Sequence, residues 1–190
     1  MEAENAVEAE DAVEEVGAMQ AKPGEPGGGG AAAPGVAEIG ILARREIEAG
    51  VIGPIYKILV REVGADKARQ IIAEAVVADA RRAGAEASAG VAPEGRMRRF
   101  IEIQERWTRG GALVTQHTEE SETAFAYTVS HCAYADMYRR LGLAELGPVL
   151  SCLRDAAFAE GFDPRMRLDR PQTIMRGAPL CQFRYTLAPN

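Results

Sequence analysis

Near residue 110 the spacing of apolar residues in this chain changes from the helical period to the strand period. That change divides the ordered part into a helical half followed by a sheet-bearing half. In the first half Val36, Ile39, Leu42, Ala43 and Ile47 recur at helical spacing up to Gly50. Pro54 suits the first turn of a short helix carrying Ile55, Ile58 and Leu59, with Gly64 as its stop. Asp66 is placed to cap a longer helix that turns Ile71, Ile72, Ala75, Val76 and Ala80 inward and ends before Gly84. Residues 85–93 are rich in Gly, Ala, Ser and Pro and read as a loop, and residues 96–107 as a further amphipathic helix. In the second half residues 113–118 and 123–129 are β-rich and flank Glu119-Glu120-Ser121-Glu122, a hairpin in which Phe125, Tyr127 and Val129 share a face. Residues 132–141 and 145–160 return to the helical period, each followed by a glycine, Gly142 and Gly161. Residues 167–175 and 181–187 read as strands joined at Arg176-Gly177-Ala178-Pro179. In the last of them Cys181, Phe183, Tyr185 and Leu187 point one way and Gln182, Arg184 and Thr186 the other. The pattern predicts an α+β fold, N-terminal helices followed by a ββ-αα-ββ unit with an antiparallel sheet.

The first 35 residues follow neither period. They hold eight acids (Glu2, Glu4, Glu8, Glu10, Asp11, Glu14, Glu15, Glu25) and one base, Lys22, a charge of −7 against −6 for the whole chain, so residues 36–190 carry about +1. The run Pro-Gly-Glu-Pro-Gly-Gly-Gly-Gly-Ala-Ala-Ala-Pro-Gly over 23–35 has no apolar face to offset the entropy of ordering it. Residues 1–35 are therefore expected to be a disordered acidic tail and linker, and residues 36–190 a single domain. With the acidity confined to the tail, the arginine pairs Arg44-Arg45, Arg81-Arg82, Arg98-Arg99 and Arg139-Arg140 sit on helices balanced by acids, which argues against a nucleic-acid partner. No run approaches the ~20 apolar residues of a membrane helix, and the acidic start lacks the basic and apolar regions of a secretory leader. Three cysteines without an export signal predict reduced thiols and a cytoplasmic location.

All three cysteines fall in the last third. Cys152 and Asp155, three apart, share a helix face beside small Ala156 and Ala159. They can serve as nucleophile and base, or else as a core thiol beside a carboxylate that caps the helix or pairs with Arg154 or Arg167. Cys132 follows His131 where a strand hands over to a helix, a place where the helix dipole lowers a thiol pKa; the alternative is that both fill a corner. Cys181 lies on the packed face of its strand, as core or as a wall shared with Cys152 or Cys132. His117 reads as an exposed strand residue. Three thiols and a histidine suffice in number for tetrahedral zinc, but there is no Cys-x-x-Cys or His-x-x-x-His pair, and no metal or cofactor is expected. No Gly-x-Ser-x-Gly, P-loop or dinucleotide fingerprint is present.

The stretch from Cys132-Ala-Tyr-Ala-Asp-Met-Tyr to Ser151-Cys152-Leu-Arg-Asp155, the turn Gly161-Phe-Asp-Pro164, and the ending Thr173-Ile-Met-Arg-Gly177 … Cys181-Gln-Phe-Arg-Tyr185 resemble the L-2-amino-thiazoline-4-carboxylic acid hydrolase family over about residues 110–187. Where that family's ending commonly has Asp, this chain has Gln182. The resemblance implies water addition at the amidine-like carbon of a small carboxylated heterocycle, opening the ring to an N-carbamoyl cysteine. It implies Cys152 as nucleophile or ring-polarising thiol, with Cys132 at its helix start as the other catalytic thiol, Asp155 as base or amidinium anchor, and Cys132 and Cys181 as liners of the same pocket. Arg170 or Arg184 is expected to meet the substrate carboxylate, with His131, Tyr134 and Thr173 as further polar liners. The cysteine-bearing ending is also similar to small-molecule-sensing domains of the vinyl-reductase-like type, which implies the alternative of a binding module sensing a small molecule or metal. The partner is in either case a small molecule, and self-association into a homo-oligomer is left open.

Overall fold

The computed structural model of the chain describes residues 39–189, so the tail and linker expected over residues 1–35 lie outside the described residues. Three helices come first: α1 (Ile41–Val63), α2 (Ala65–Ser88) and α3 (Arg96–Thr108). The hairpin β1 (Leu113–Glu120) and β2 (Ala124–Cys132) follows. Then come α4 (Ala133–Arg140), a π-helical turn at Pro148–Cys152, α5 (Leu153–Phe162), and the strands β3 (Met166–Asp169) and β4 (Cys181–Leu187). The four strands form one antiparallel sheet in the order β1-β2-β4-β3, and the fold is α+β as expected. No described helix is long and apolar enough to cross a membrane.

Several boundaries differ from the sequence reading, each for a physical reason. The two helices expected on either side of Gly50 are one, α1, with Pro54 inside it. Proline removes one helical hydrogen bond, but Pro54 and Gly50 are both exposed, so the freed carbonyl is met by water. The chain reverses at Gly64, whose φ of 81° suits glycine, and this residue, not Asp66, precedes α2. Within α2 it is Ala68, Ile72, Val76, Ala80 and Gly84 that turn inward, whereas Ile71 and Ala75 are exposed. Gly84 and Gly161 do not end their helices: they are the points where α2 and α5 touch backbone to backbone. The helix expected over residues 145–160 is split by the turn that begins at Pro148. The strand expected over residues 167–175 stops at Asp169, because Pro171 has no N–H to give the ladder and Arg170 turns inward.

Packing separates into two apolar clusters. One joins α1, α2, α4 and the π-turn around Ala68, Ile72, Tyr138, Leu146 and Leu150. The other joins α3, α5 and the sheet around Phe100, Phe125, Phe162, Met166 and Tyr185. Trp107, Leu113 and Cys132 pack against both. The outer side of α1 is apolar and uncovered by other described residues, with Ile47, Val51, Ile55 and Ile58 in line at helical spacing; Ile47 is 62 % exposed.

Candidate active site

A cavity of about 90 Å³ opens at the seam between the two clusters, bounded by the three residues that belong to both. For scale, a roughly 150 Å³ apolar cavity takes a benzene-sized guest, so this one is smaller and suits a compact five-membered ring rather than a six-membered one. Its sheet wall is built by register. Val129 pairs with Cys181, Tyr127 with Phe183 and Phe125 with Tyr185, which brings the inward faces of β2 and β4 together, with the Tyr127 and Phe183 rings stacked at 4.7 Å. The opposite wall comes from the π-turn and the start of α5, which carry Ser151, Cys152, Asp155 and Phe158. Cys132 reaches the cavity from the last residue of β2. Cys132, Cys152, Cys181 and Asp155 thus line one pocket, although no two of the cysteines are closer than twenty residues in sequence.

Asp155 and Cys152 are tied together by Arg170. Its guanidinium donates one N–H to the Asp155 carboxylate and another to the Cys152 carbonyl at 3.0 Å, and it lies 5.3 Å from the centre of the Phe183 ring. Burial pushes the Asp155 carboxyl up to about 6, against the opposing pull of Arg170. A carboxylate with that pKa is mostly ionised at neutral pH yet basic enough to take a proton, the balance general bases need. The thiols behave differently. Burial first, and the Asp155 charge second, raise Cys152 to about 12. Burial raises Cys132 to about 11 despite backbone N–H donors from Ala135 and Tyr134. Cys181 is raised as well, chiefly by burial, while its Sγ accepts the Ile174 N–H at 3.2 Å. The lowered pKa expected of Cys132 at its helix start is therefore overturned: α4 has only eight residues, and loss of water outweighs its N-terminal amides.

The other expected liners divide. Tyr134 is at the pocket, its hydroxyl donating to the Trp107 carbonyl at 3.2 Å. Thr173 is buried with its Oγ without a hydrogen-bond partner among the described residues, but it is not part of the wall; its neighbour Met175 is. His131 faces outward, 52 % exposed and 3.8 Å from Asp136. Arg184 is on the far side of the sheet, in a two-point pair with Glu119 at 3.0 and 3.1 Å. That pair lies over Ala126, the residue opposite both. Arg184 is thus removed from the pocket by the same alternation that places Cys181 in it, and Arg170 is already held by Asp155. Trp107, Tyr127, Tyr185 and Arg45 line the pocket and were not expected there. Tyr127 and Tyr185 were recoverable from alternation plus antiparallel pairing. Trp107 and Arg45 were not, because their approach is set by helix packing. No group of three His, Cys, Asp or Glu among the described residues is placed to hold a metal ion.

All three cysteines are free thiols. A disulfide reagent is therefore expected to titrate three thiols in denaturant without reductant. In the native protein at neutral pH it should react on the order of a hundred times more slowly than with free cysteine, because protonated thiols are poor nucleophiles. Rapid native labelling of Cys152 would contradict the burial-raised pKa.

Compared with known proteins, the chain matches the profile of the L-2-amino-thiazoline-4-carboxylic acid hydrolase family over residues 44–185, so the match takes in the helical half as well as the cysteine-bearing half. No curated protein matches it. Among solved structures it is similar to the phenol-responsive sensory domain of the transcription activator PoxR with phenol, at 15% identity, TM-score 0.46, over 72% of this chain and 73% of that one. It is also similar to trafficking protein particle complex subunit 3 from Naegleria fowleri covalently bound to palmitic acid, at 10% identity, TM-score 0.45, over 77% of this chain and 96% of that one. With three quarters of its length matched by one family, including every pocket residue from Arg45 to Tyr185, the chain belongs to the L-2-amino-thiazoline-4-carboxylic acid hydrolase family.

Proposed function

We propose that the pocket hydrolyses a small carboxylated cyclic amidine, as in the conversion of L-2-amino-thiazoline-4-carboxylate to N-carbamoyl-L-cysteine. The observation that carries this reading is Asp155. It is a carboxylate raised to about 6, held by Arg170 and facing an apolar, thiol-lined cavity the size of a small ring. In this reading Asp155 takes a proton from water as the water oxygen bonds to the amidine carbon. The tetrahedral intermediate then collapses to the carbonyl with cleavage of the ring C–S bond: its hydroxyl proton passes to the ring nitrogen, and the departing sulfur takes up the proton Asp155 holds. Cys152, protonated at neutral pH, donates its S–H to the ring nitrogen and so polarises the C=N bond, and Asp155 also anchors the exocyclic amino group. The aromatic walls of Trp107, Tyr127 and Phe183 exclude bulk water and hold a flat ring. A cytoplasmic location and a free small molecule as partner accord with this chemistry.

Turnover of a panel of 2-amino-thiazoline carboxylates and N-carbamoyl amino acids tests the reading. Activity on the thiazoline is expected, with kcat/KM rising tenfold per pH unit below about 6 and flattening above it, as a base must be deprotonated to act. A profile that falls through pH 6 would assign Asp155 as an acid instead. The binding-module alternative is favoured by one observation, that burial keeps the thiols protonated. Saturable binding of the thiazoline with no turnover at any pH would select it.

A further inference from the structure

A cleft of about 540 Å³ adjoins the pocket and shares Arg45, Trp107 and Phe158 with it. Four arginines line this cleft (Arg44, Arg45, Arg106 and Arg109) and none of its lining residues is acidic. Several arginines elsewhere are matched by acids: Arg81 meets Glu160, Arg82 meets Asp79 and Glu86, and Arg140 meets Glu46. In the cleft two of the four are committed, Arg45 to Glu48 at 2.5 Å and Arg44 through its Nε to the Ile39 carbonyl at 2.9 Å. Arg106 and Arg109 are exposed, and their guanidinium groups have no hydrogen bond or ion pair to another described residue. Like charges gathered on one concave wall, two of them without a counter-charge, raise the local concentration of anions. The pocket itself offers a ligand's anionic group little, because its two lining arginines are paired, Arg45 with Glu48 and Arg154 with Asp79 and Glu48, while Arg170 is occupied by Asp155 and Arg184 lies beyond the sheet.

We propose that this cleft is the anion-binding arm of the site and that the natural ligand is bipartite: a compact ring in the thiol-lined pocket and a carboxylate reaching past Trp107 to Arg106 and Arg109. The proposal rests on the pocket's taking a ring, as the proposed function requires, but not on what happens to that ring. It moves recognition of the substrate carboxylate from Arg170 and Arg184 to the mouth of the site, and it defines the natural substrate class as ring compounds whose carboxylate is carried on an arm, longer than the ring-bound carboxylate of the thiazoline, which keeps the ring chemistry of the proposed function but cannot itself span both compartments.

Trp107 is the single tryptophan of the chain and lines both pocket and cleft, so its fluorescence reads the binding directly. The full-length protein is titrated with 4-(2-thienyl)butyrate, whose ring has five members, and with the neutral 4-(2-thienyl)butyramide at low and high salt. The acid is expected to bind roughly five- to tenfold more tightly at low salt, the effect of one two-point contact with exposed guanidinium groups, and to lose that advantage at high salt. In the Arg106→Gln, Arg109→Gln double variant the acid and the amide should bind alike, with an unchanged melting temperature because both side chains are exposed and no hydrogen bond or ion pair to a described residue is lost. Equal affinities in the unmodified protein, no binding of either probe, or an acid preference that survives in the folded double variant overturns the proposal. Binding is read without turnover, so failure of the thiazoline assay leaves the cleft standing, and loss of the acid preference leaves the hydrolytic reading standing.

Discussion

The Gly161→Ala protein is expected to fail to accumulate in folded form, or to melt at least about 6–12 °C below the parent. An alanine Cβ at residue 161 sits 2.1 Å from the Arg81 carbonyl oxygen and 2.7 Å from that residue's carbonyl carbon and Cα. At residue 84, on the facing helix, it sits 2.2 Å from the Phe158 oxygen and 2.7 Å from the Phe162 nitrogen. All of these are backbone atoms, so no side-chain rotation relieves the overlap, and α2 and α5 must part along their whole contact. Overpacking of this kind costs about 3 kcal/mol or more, and a chain of this size loses about 2–4 °C per kcal/mol. The same substitution at Gly50 is the control. Its Cβ meets nothing within 4 Å in the exposed middle of α1, and replacing a helical glycine there stabilises by about 0.5–1 kcal/mol. Opposite shifts for the two alanines, read by thermal melting, check the helix contact. A near-parental melting temperature for Gly161→Ala would mean that α2 and α5 do not meet there. Because α5 carries Asp155 and directly follows Cys152, separation of the two helices would also displace the pocket wall.

These two glycines show what the sequence could and could not convey. A glycine that ends a helix and a glycine that lets two helices touch look alike in a single chain, and only the partner backbone distinguishes them. The strands were legible because alternation is local. The hairpin of β1 and β2 and the inward set of β4 follow from period two, and so does the outward direction of Arg184, which its guanidinium chemistry alone would have drawn into the site. The helical half was legible in kind but not in boundaries, since Pro54 and Gly50 are tolerated where water can replace a lost bond. At the site, Cys152 and Asp155 were readable from spacing on one helix face, and they remain together even though a π-turn ends at Cys152. Arg170 was readable as a candidate but not in its pairing, because its partner is fifteen residues away across a turn. The thiol pKa values were not readable at all: burial decides them, and burial is a property of the assembled seam.

Replacing Asp155 by Asn should lower turnover by roughly 10²–10⁴-fold, the usual contribution of a positioned base, and should leave the protein folded. The sign of the stability effect follows from the raised pKa. A carboxyl whose folded-state pKa lies above its unfolded value stabilises the fold while it is protonated. That contribution is fully present below the unfolded value, and it is lost as the pH climbs through about 6. At pH 7.5 the asparagine therefore removes a burial penalty and still offers Arg170 an amide oxygen, so its melting temperature should match or exceed that of the parent. Arg170→Met does the reverse, leaving Asp155 buried without its counter-ion. Its melting temperature should fall, and fall further at pH 7.5 than at pH 5, where protonation of Asp155 relieves the missing charge. Cys152→Ser separates the roles of the thiol. If Cys152 and Asp155 act as one unit, the serine variant loses as much turnover as Asp155→Asn and the double variant loses no more than either. If the thiol only polarises the ring, the serine hydroxyl keeps most of the rate. Melting temperature and turnover on the same preparations distinguish these outcomes from a merely structural pair, which would lower the first and spare the second. Full turnover by a folded Asp155→Asn protein would remove Asp155 as the base and leave the pocket's burial-raised carboxyl without a catalytic role.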